Sequence, residues 1–328
     1  MKKIISTLAL CVALSPSLYA SEAKSEPYVM KVTLLGTGTP NPSPDRFGPS
    51  TLVQANGQNL LFDAGRGNTI RLWQLKVPLG KVHDVFLTHF HSDHLNGLSD
   101  LWMTGWLGPV YANRKVPLSL YGPIGTKNLA SGLEQAFINN TEVRIVDENL
   151  PSEAIKINAK EFDEGEGVVY QKDGVRVTSF KNDHGAEIHP SVGYKIEYKG
   201  KSVVISGDTR KSDVVIKQAT GVDLLIHEVA AARGGLVKKM PHIQPILDHH
   251  TTPIEAGEVF SAAKPKLAVY SHFVLLASKD FPRMTAKEVE SMTRETYRGP
   301  LAMGEDLMSF EIGETVKIVP WIGKKSSY

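Results

Sequence analysis

Cysteine is almost absent from this chain. The sequence has 328 residues and a single cysteine, Cys11, which lies in an apolar run at the N-terminus. Leu10 precedes it, where a lipoprotein signal needs a small residue, so the sequence predicts no lipid anchor. Beyond this run the chain can form no disulfide and offers no thiolate ligand to a metal.

The chain also lacks an excess of charge of either sign. Lys and Arg number 37 against 35 Asp and Glu, which gives a formal net charge of +2. Removing the N-terminal run with Lys2 and Lys3 leaves 35 basic and 35 acidic residues. This balance argues against a polyanion-binding surface and predicts no nucleic-acid partner. Beyond residue 20 no apolar run is long enough to cross a membrane, so no membrane anchor is expected.

The first 20 residues read as a signal peptide. Met1, Lys2 and Lys3 form a basic start, residues 4–14 an apolar core, and small residues follow up to Ala20. Cleavage is expected after Ala20, with Ala23 as the second choice. The sequence therefore predicts a single domain over residues 21–328 that is periplasmic or secreted.

Three histidines and an aspartate follow a short apolar strand at residues 84–87. They are His89, His91, Asp93 and His94, and imidazole and carboxylate are ligands that zinc takes. In an extended loop His89, His91 and Asp93 share one side because side chains alternate. His94 then points elsewhere, so the cluster can serve two metals. The alternative is a chance run of polar residues in a loop, which this spacing disfavours.

Four further residues of the same kinds stand at predicted strand ends. Asp63 precedes an Ala-Gly turn, and His184, Asp208 and His272 each follow a β-prone segment. Any one of them could simply cap a turn. Together with the cluster they make a matching set, because the strand ends could converge on one edge of the fold.

The sequence predicts a hairpin of residues 50–55 and 59–63 around Asn56-Gly57, strands over 223–226 and 266–270, and a helix over 253–263 with Pro near its start. Residues 142–166 are expected to be irregular. Hairpins are frequent, and helices interrupt the strands in both halves of the chain. This pattern does not suit a purely parallel sheet. It predicts an α/β (α+β) fold of two mixed sheets packed together with helices outside.

The order His-x-His-x-Asp-His, then a lone His, then Gly-Asp-Thr, then a late His resembles the metallo-β-lactamase superfamily over residues 34–272. The resemblance implies an αββα sandwich with two zinc ions at one edge of the sheets. It assigns one zinc to His89, His91 and His184 and the other to Asp93, His94 and His272, with Asp208 between them. In this family Asp63 would orient the ligand histidines, although capping the turn is an equal alternative. Iron or manganese would suit the same ligands.

Two later segments resemble the ribonuclease Z and phosphodiesterase branch of that superfamily. They imply that Glu228 orients His250, and that His250 acts as a general acid or contacts the anion. Asp93 and Asp208 join these two in the expected catalytic set, because they offset part of the metal charge.

The details most resemble the secreted zinc-dependent arylsulfatases, on the strength of residues 36–40, 48–51, 102–106 and 203–209. The resemblance implies an exported dinuclear zinc hydrolase that cleaves small anionic aryl sulfate esters with a hydroxide between the metals. Trp102 and Trp106 could wall an aryl pocket, against the alternative that they pack in the core. A phosphodiesterase that uses the same site is the alternative function, and a lactonase is a third, less favoured one.

The acidic character of residues 142–166 argues further against RNA, because ribonuclease Z needs a basic arm. A non-catalytic metal-binding scaffold is the other class of function. The seven-ligand set argues against it, since a structural zinc site is closed by four ligands. A homo-oligomer is left open.

Overall fold

Two β-sheets pack face to face and carry helices on their outer surfaces. The computed structural model describes residues 28–109, 111–165 and 167–323. The signal peptide and both cleavage points lie outside the described residues, so export and the domain boundary at residue 20 stay predictions. In the described part of the chain, no helix has both the length and the apolar character needed to cross a membrane.

The first sheet has eight strands in the spatial order β15-β14-β1-β2-β3-β4-β5-β6. In chain order these are β1 (Met30–Gly36), β2 (Ser50–Ala55), β3 (Gln58–Phe62), β4 (Asp84–Phe86), β5 (Leu118–Pro123), β6 (Ile157–Phe162), β14 (Ser309–Ile312) and β15 (Val316–Val319). The pairs from β3 to β6 are parallel and the others antiparallel.

The second sheet has seven strands in the order β13-β12-β11-β10-β9-β8-β7. They are β7 (Gly167–Lys172), β8 (Val175–Lys181), β9 (Val192–Tyr198), β10 (Lys201–Ile205), β11 (Leu224–Ala231), β12 (Leu267–Leu275) and β13 (Leu301–Met303). Strands β10 to β13 pair in parallel and β7 to β10 pair as antiparallel hairpins. Both sheets are mixed, as the sequence predicts.

Helices cover the outer faces of the sheets. They are α1 (Asn68–Gln74), α2 (Ser92–Leu95), α3 (Leu98–Trp106), α4 (Thr126–Ala136), α5 (Ile138–Asp147), α6 (Asp213–Ala219), α7 (Gly234–Lys239), α8 (Gln244–Asp248), α9 (Pro253–Ala263) and α10 (Ala286–Thr293). One buried cluster fills the space between the sheets, a second lies between the first sheet and α3, and a third lies between the second sheet and α9. This is the αββα sandwich, and the predicted fold is confirmed.

Local sequence accounts for several of these elements. Asn56 and Gly57 both have positive φ, as the two-residue turn between β2 and β3 requires. Thr252 and Glu255 form a reciprocal capping box at the start of α9, and Pro253 occupies its first turn. The predicted hairpin and helix are therefore found where the turn and cap signals place them.

The predictions from sequence are wrong for one region and for the ends of two strands. The described part of residues 142–166, expected to be irregular, contains the second half of α5 and all of β6. Strands β11 and β12 run on to Ala231 and Leu275, so Glu228 and His272 lie inside strands. Both strands are buried along almost their whole length, and a polar residue is therefore a poor sign of their ends.

Candidate metal centre

The histidine cluster spans the junction between β4 and α2. The loop after Phe86 carries His89 and His91, and the chain turns into α2 at Ser92. Asp93 therefore lies in the first turn of that helix, where the helix dipole favours a carboxylate. The alternation argument, which put Asp93 beside His89 and His91, is wrong because the chain is already helical at that point.

Two groups of ligand-type side chains meet at this edge of the sandwich. One contains His89, His91, His184 and Asp208, and the other contains Asp93, His94 and His272, with the ligand-type atoms of each group within 4.8 Å of one another. These are the residues that the resemblance assigned to two metals. They come from both halves of the chain: from the loop after β4 and helix α2 in the first half, and from two loops and strand β12 in the second.

Asp208 lies between the two groups. Its Oδ2 atom is 3.3 Å from Nε2 of both His94 and His272. The same oxygen is 3.7 Å from Nε2 of His184 and 3.9 Å from Nε2 of His89. One carboxylate oxygen thus faces four imidazoles that belong to two groups, which suits a ligand shared by two cations.

The donor set fits divalent metal ions. Nitrogen ligands about 2.0–2.1 Å from a tetrahedral metal lie about 3.3 Å apart, close to the separations found here. Nε2 of His184 and Nδ1 of His91 face each other at 3.2 Å, and Nε2 of His89 is buried with no hydrogen-bond partner. Buried polar atoms are normally paired, so nitrogens aimed at a common point indicate a cation.

Burial and charge set the protonation of these groups. Burial lowers the pKa of His89 well below its ordinary value and that of His184 to about 4, so both rings are neutral. Burial alone would raise the pKa of Asp208, but the facing His272 and His94 hold it well below the usual range. Neutral imidazole and ionised carboxylate are the forms that bind metals.

Asp63 fixes the orientation of the cluster. Its Oδ2 lies 2.7 Å from Nδ1 of His94, which directs Nε2 of that ring into the site. The same carboxylate accepts hydrogen bonds from the amide and the hydroxyl of Thr88, each at 2.8 Å. The Thr88 hydroxyl is in turn 2.9 Å from Nδ1 of His89. Asp63 thus holds two ligand rings, and Thr88 is a participant that sequence reasoning missed.

His272 reaches the site through an irregularity in the second sheet. Tyr270 pairs with His227 and Phe273 pairs with Val229, so β12 has one more residue than β11 across this step. His272 sits in that bulge with φ of 44°, a left-handed conformation that is strained for a residue with a side chain. The bulge points His272 towards Asp93, with Nε2 and Oδ2 3.2 Å apart.

His250 and Glu228 form a buried ion pair at the border of the centre. Nδ1 of His250 lies 3.2 Å from Oε2 of Glu228, and their side chains are 8% and 1% exposed. Burial lowers the pKa of His250, but the facing charge of Glu228 outweighs burial and raises the pKa to about 9. His250 also lies in one group with Asp208 and His272. The structure thus brings together the two residues that the sequence paired.

Trp102 and Trp106 lie in the core and not in a pocket. Each is 1% exposed, and their indole N–H groups donate to the carbonyl oxygens of Ile155 and Pro151. The alternative, that these two side chains pack in the core, is therefore confirmed. The aryl pocket that these two rings were expected to wall is absent from this place in the described structure.

Comparisons with known proteins place the chain in a family. The family model described as "Anti-Pycsar protein Apyc1" matches residues 30–240. The ribonuclease Z of Mycolicibacterium paratuberculosis is 33% identical over 292 residues, which cover 87% of this chain and 99% of that protein. The ribonuclease Z of Mycobacterium avium is 32% identical over a similar span.

Solved structures agree on the fold. The metallo-β-lactamase fold protein YhfI from Bacillus subtilis superimposes with a TM-score of 0.65 at 19% identity, covering 85% of this chain and 98% of that one. The short form of human tRNase Z superimposes with a TM-score of 0.62 at 22% identity, covering 86% of this chain and 99% of that one. At these identities the likeness shows the fold.

The predicted arylsulfatase activity is wrong. Relatives that are 32–33% identical to this chain are named ribonuclease Z, and that name denotes a nuclease and not a sulfatase. Apart from Asp208, which belongs to the metal centre, the segments that suggested a sulfatase form turns and core packing. Gly36, Gly38 and Gly48 let backbones approach so closely that an added Cβ would collide with a carbonyl or an amide. Such positions report the fold and carry no information on the ester cleaved.

The predicted partners, a small aryl ester and no nucleic acid, are contradicted by the same relatives. Net charge and the acidic character of residues 142–166 were therefore a poor guide to the substrate, and several of these carboxylates have partners within the chain. Glu148 and Glu153 pair with Arg144 and Lys156, and Glu161 accepts hydrogen bonds from the amides of Gly125 and Lys127. These three carboxylates thus contact neighbouring groups of the chain itself.

The match to the family model, over residues 30–240, and the match to the ribonucleases Z, over 87% of the chain, both agree with the fold. The chain carries a candidate His and Asp metal site at the edge of an αββα sandwich, with ribonuclease Z relatives over almost their entire length. The chain therefore belongs to the metallo-β-lactamase-fold family that the anti-Pycsar protein Apyc1 model describes.

Proposed function

We propose that this protein is a metal-dependent phosphodiesterase that hydrolyses ribonucleotide phosphodiesters. The observation that carries the proposal is the buried pair of His250 and Glu228 beside a seven-residue set of metal ligands. A leaving ribose oxygen is strongly basic and needs a proton, which a positioned histidine can give. An activated phenolate does not need one, so this pair favours a nucleotide ester.

Two zinc ions would complete the centre. His89, His91 and His184 would hold one, Asp93, His94 and His272 the other, and Asp208 would contact both. Bound there, the metals would supply Lewis-acid polarisation of the phosphoryl oxygens and a nucleophile at neutral pH. The support is the fit of the donor atoms described above.

The chain's own residues perform the remaining tasks. Asp63 and Thr88 hold the rings of His94 and His89, so the site keeps its shape before substrate arrives. Glu228 engages Nδ1 of His250, and Nε2 is then the atom that faces a leaving group. Burial of the pair excludes water that would compete for this proton.

The relatives support the substrate class. The proteins that are 32–33% identical to this chain are named ribonuclease Z, and that name states an action on RNA. The shared length is 87% of this chain and 99% of the Mycolicibacterium paratuberculosis protein. We extend the substrate class, ribonucleotide phosphodiesters, from those proteins to this one.

The test is a substrate panel with purified, zinc-loaded protein. A 3′-extended precursor tRNA, cyclic ribonucleotides and bis(p-nitrophenyl) phosphate are compared at equal concentrations, with a chelator arm for each. We expect hydrolysis of phosphodiesters that stops on chelation and returns with zinc. Absence of turnover on every phosphodiester, with zinc bound, would contradict the proposal. The order of preference between the tRNA and the cyclic nucleotides identifies the substrate within the class.

A further inference from the structure

Thr209 and Thr251 tie together three segments that carry residues of the centre. Thr209 follows Asp208 directly, and Thr251 follows His250 directly. The hydroxyl of Thr251 donates to the carbonyl oxygen of Thr209 at 2.6 Å. Both residues are completely buried, so no water competes for this hydrogen bond.

Thr209 reaches a third segment through its side chain. Its hydroxyl oxygen accepts a hydrogen bond from the amide of Asp183 at 3.1 Å, and Asp183 precedes His184. The amide of Arg210 donates to the Asp183 carbonyl oxygen at 2.6 Å, and this hydrogen bond joins the same two loop segments at a second point. The ligands Asp208 and His184 are therefore held at a set distance through backbone contacts.

Glu228 joins the two threonines from the other side. Its Oε1 accepts hydrogen bonds from the amides of Thr251 at 2.8 Å and Thr209 at 3.4 Å. Its Oε2 faces His250. Glu228 can thus orient the His250 ring only while the segment that carries Thr251 stays in register with Asp208.

We infer that Thr209 and Thr251, which we call the threonine clasp, are positioning residues that set His184, Asp208 and His250 relative to one another. The clasp acts through hydrogen bonds to the backbone and contacts neither metal nor substrate. Groups that orient ligands in this way typically contribute about 10–100-fold to metal affinity or activity. The two residues divide the task, since Thr209 links two metal ligands and Thr251 links the metal centre to His250.

The test compares isosteric and hydroxyl-keeping variants. Thr209→Val is expected to raise the zinc dissociation constant, measured by chelator competition, by about tenfold or more. Thr209→Ser keeps the hydroxyl and stays within about threefold of the wild type. Thr251→Val is expected to leave zinc affinity within about threefold and to lower kcat on the ribonucleotide ester about tenfold more than on bis(p-nitrophenyl) phosphate. Thr251→Ser restores the wild-type ratio of the two rates.

Thr33→Val is the matched control. Thr33 is also buried, its hydroxyl lies 2.8 Å from the hydroxyl of Ser309, and both residues are far in sequence from those of the centre. This variant should lose thermal stability without changing zinc affinity or the ratio of rates. If the two clasp variants lose only stability, as the control does, the clasp has no positioning role and the inference is overturned.

The comparison of kcat on the two esters rests on the proposed phosphodiesterase activity, but the measurement of zinc affinity does not. A wild-type protein that binds zinc and cleaves no phosphodiester would end the proposed function. The effect of Thr209→Val on zinc binding would still decide whether the clasp holds the metal ligands.

Discussion

At the residue scale the centre depends on histidines whose two nitrogens have different tasks. One ring nitrogen points into the site, and in His94, His89 and His184 the other is held by a neighbouring carboxylate, hydroxyl or carbonyl oxygen. The sequence supplies the ligand residues, because their spacing around the His-x-His-x-Asp-His motif is distinctive. It does not supply Thr88, Thr209 or Thr251, because threonine is common and its partners lie up to 42 positions away.

His250→Ala tests the proton donor. We expect a loss of about 10²–10⁴-fold in kcat on a ribonucleotide ester and a much smaller loss on bis(p-nitrophenyl) phosphate. The reason is that nitrophenolate leaves without a proton and a ribose oxygen does not. Steady-state kinetics on both substrates measure the difference. His242→Ala, at an exposed position in the same region, is the control. Equal losses on both esters would remove the acid role.

Asp63→Asn tests the orienting carboxylate. The amide cannot serve both His94 and Thr88 as the carboxylate does, and zinc affinity should fall by about 10–100-fold. Competition with a chromogenic chelator measures this. Asp223→Asn changes another buried aspartate, which pairs with Lys266 at the start of β11. That variant should lose stability and keep its zinc affinity. Unchanged affinity in Asp63→Asn would return this residue to a turn-capping role.

At the element scale, periodicity and caps predicted the elements whose ends are marked by their own residues. α9 was predicted from 253 to 263 and is found with those bounds, because Pro253 starts it and a capping box precedes it. α5 was missed because no cap residue marks its start and none of its residues is buried. The bulge in β12 could not be predicted, since it depends on pairing with β11 and not on local sequence.

Helices α9 and α10, which pack against the second sheet, start with the same kind of capping box. They therefore offer a matched pair of variants. Thr252 caps α9 and Thr285 caps α10, each with a glutamate three residues on. Thr252→Ala and Thr285→Ala should each lower the free energy of unfolding by about 1 kcal/mol. Only Thr252 lies two residues from His250, so only its variant should also lower kcat. Denaturant unfolding and kinetics on both proteins check this, and a kcat loss in Thr285→Ala would contradict it.

At the scale of the whole molecule, fold stability and metal binding are linked. The donor atoms meet only in the folded chain, so zinc held by them would stabilise the native state. Free zinc at about 100 times its dissociation constant should stabilise the fold by about 2.7 kcal/mol. Thermal melts with added zinc and with chelator measure the shift. Asp208→Asn should reduce the shift strongly, and a chelator-insensitive melting temperature in the wild type would contradict the linkage.

The origin of the ligands in two halves of the chain has a mechanical consequence. Residues 63–94 belong to the first sheet and its loops, whereas His184, Asp208 and His272 belong to the second. Ions held between them would act as a cross-link at one edge of the sandwich, in a chain whose single cysteine stands at position 11. Bound metal would then hold the two halves of the chain together at this edge, as a disulfide does in other proteins. Amide hydrogens around residues 88–94 and 206–209 would exchange faster after chelation, while those of the opposite edge would keep their rates.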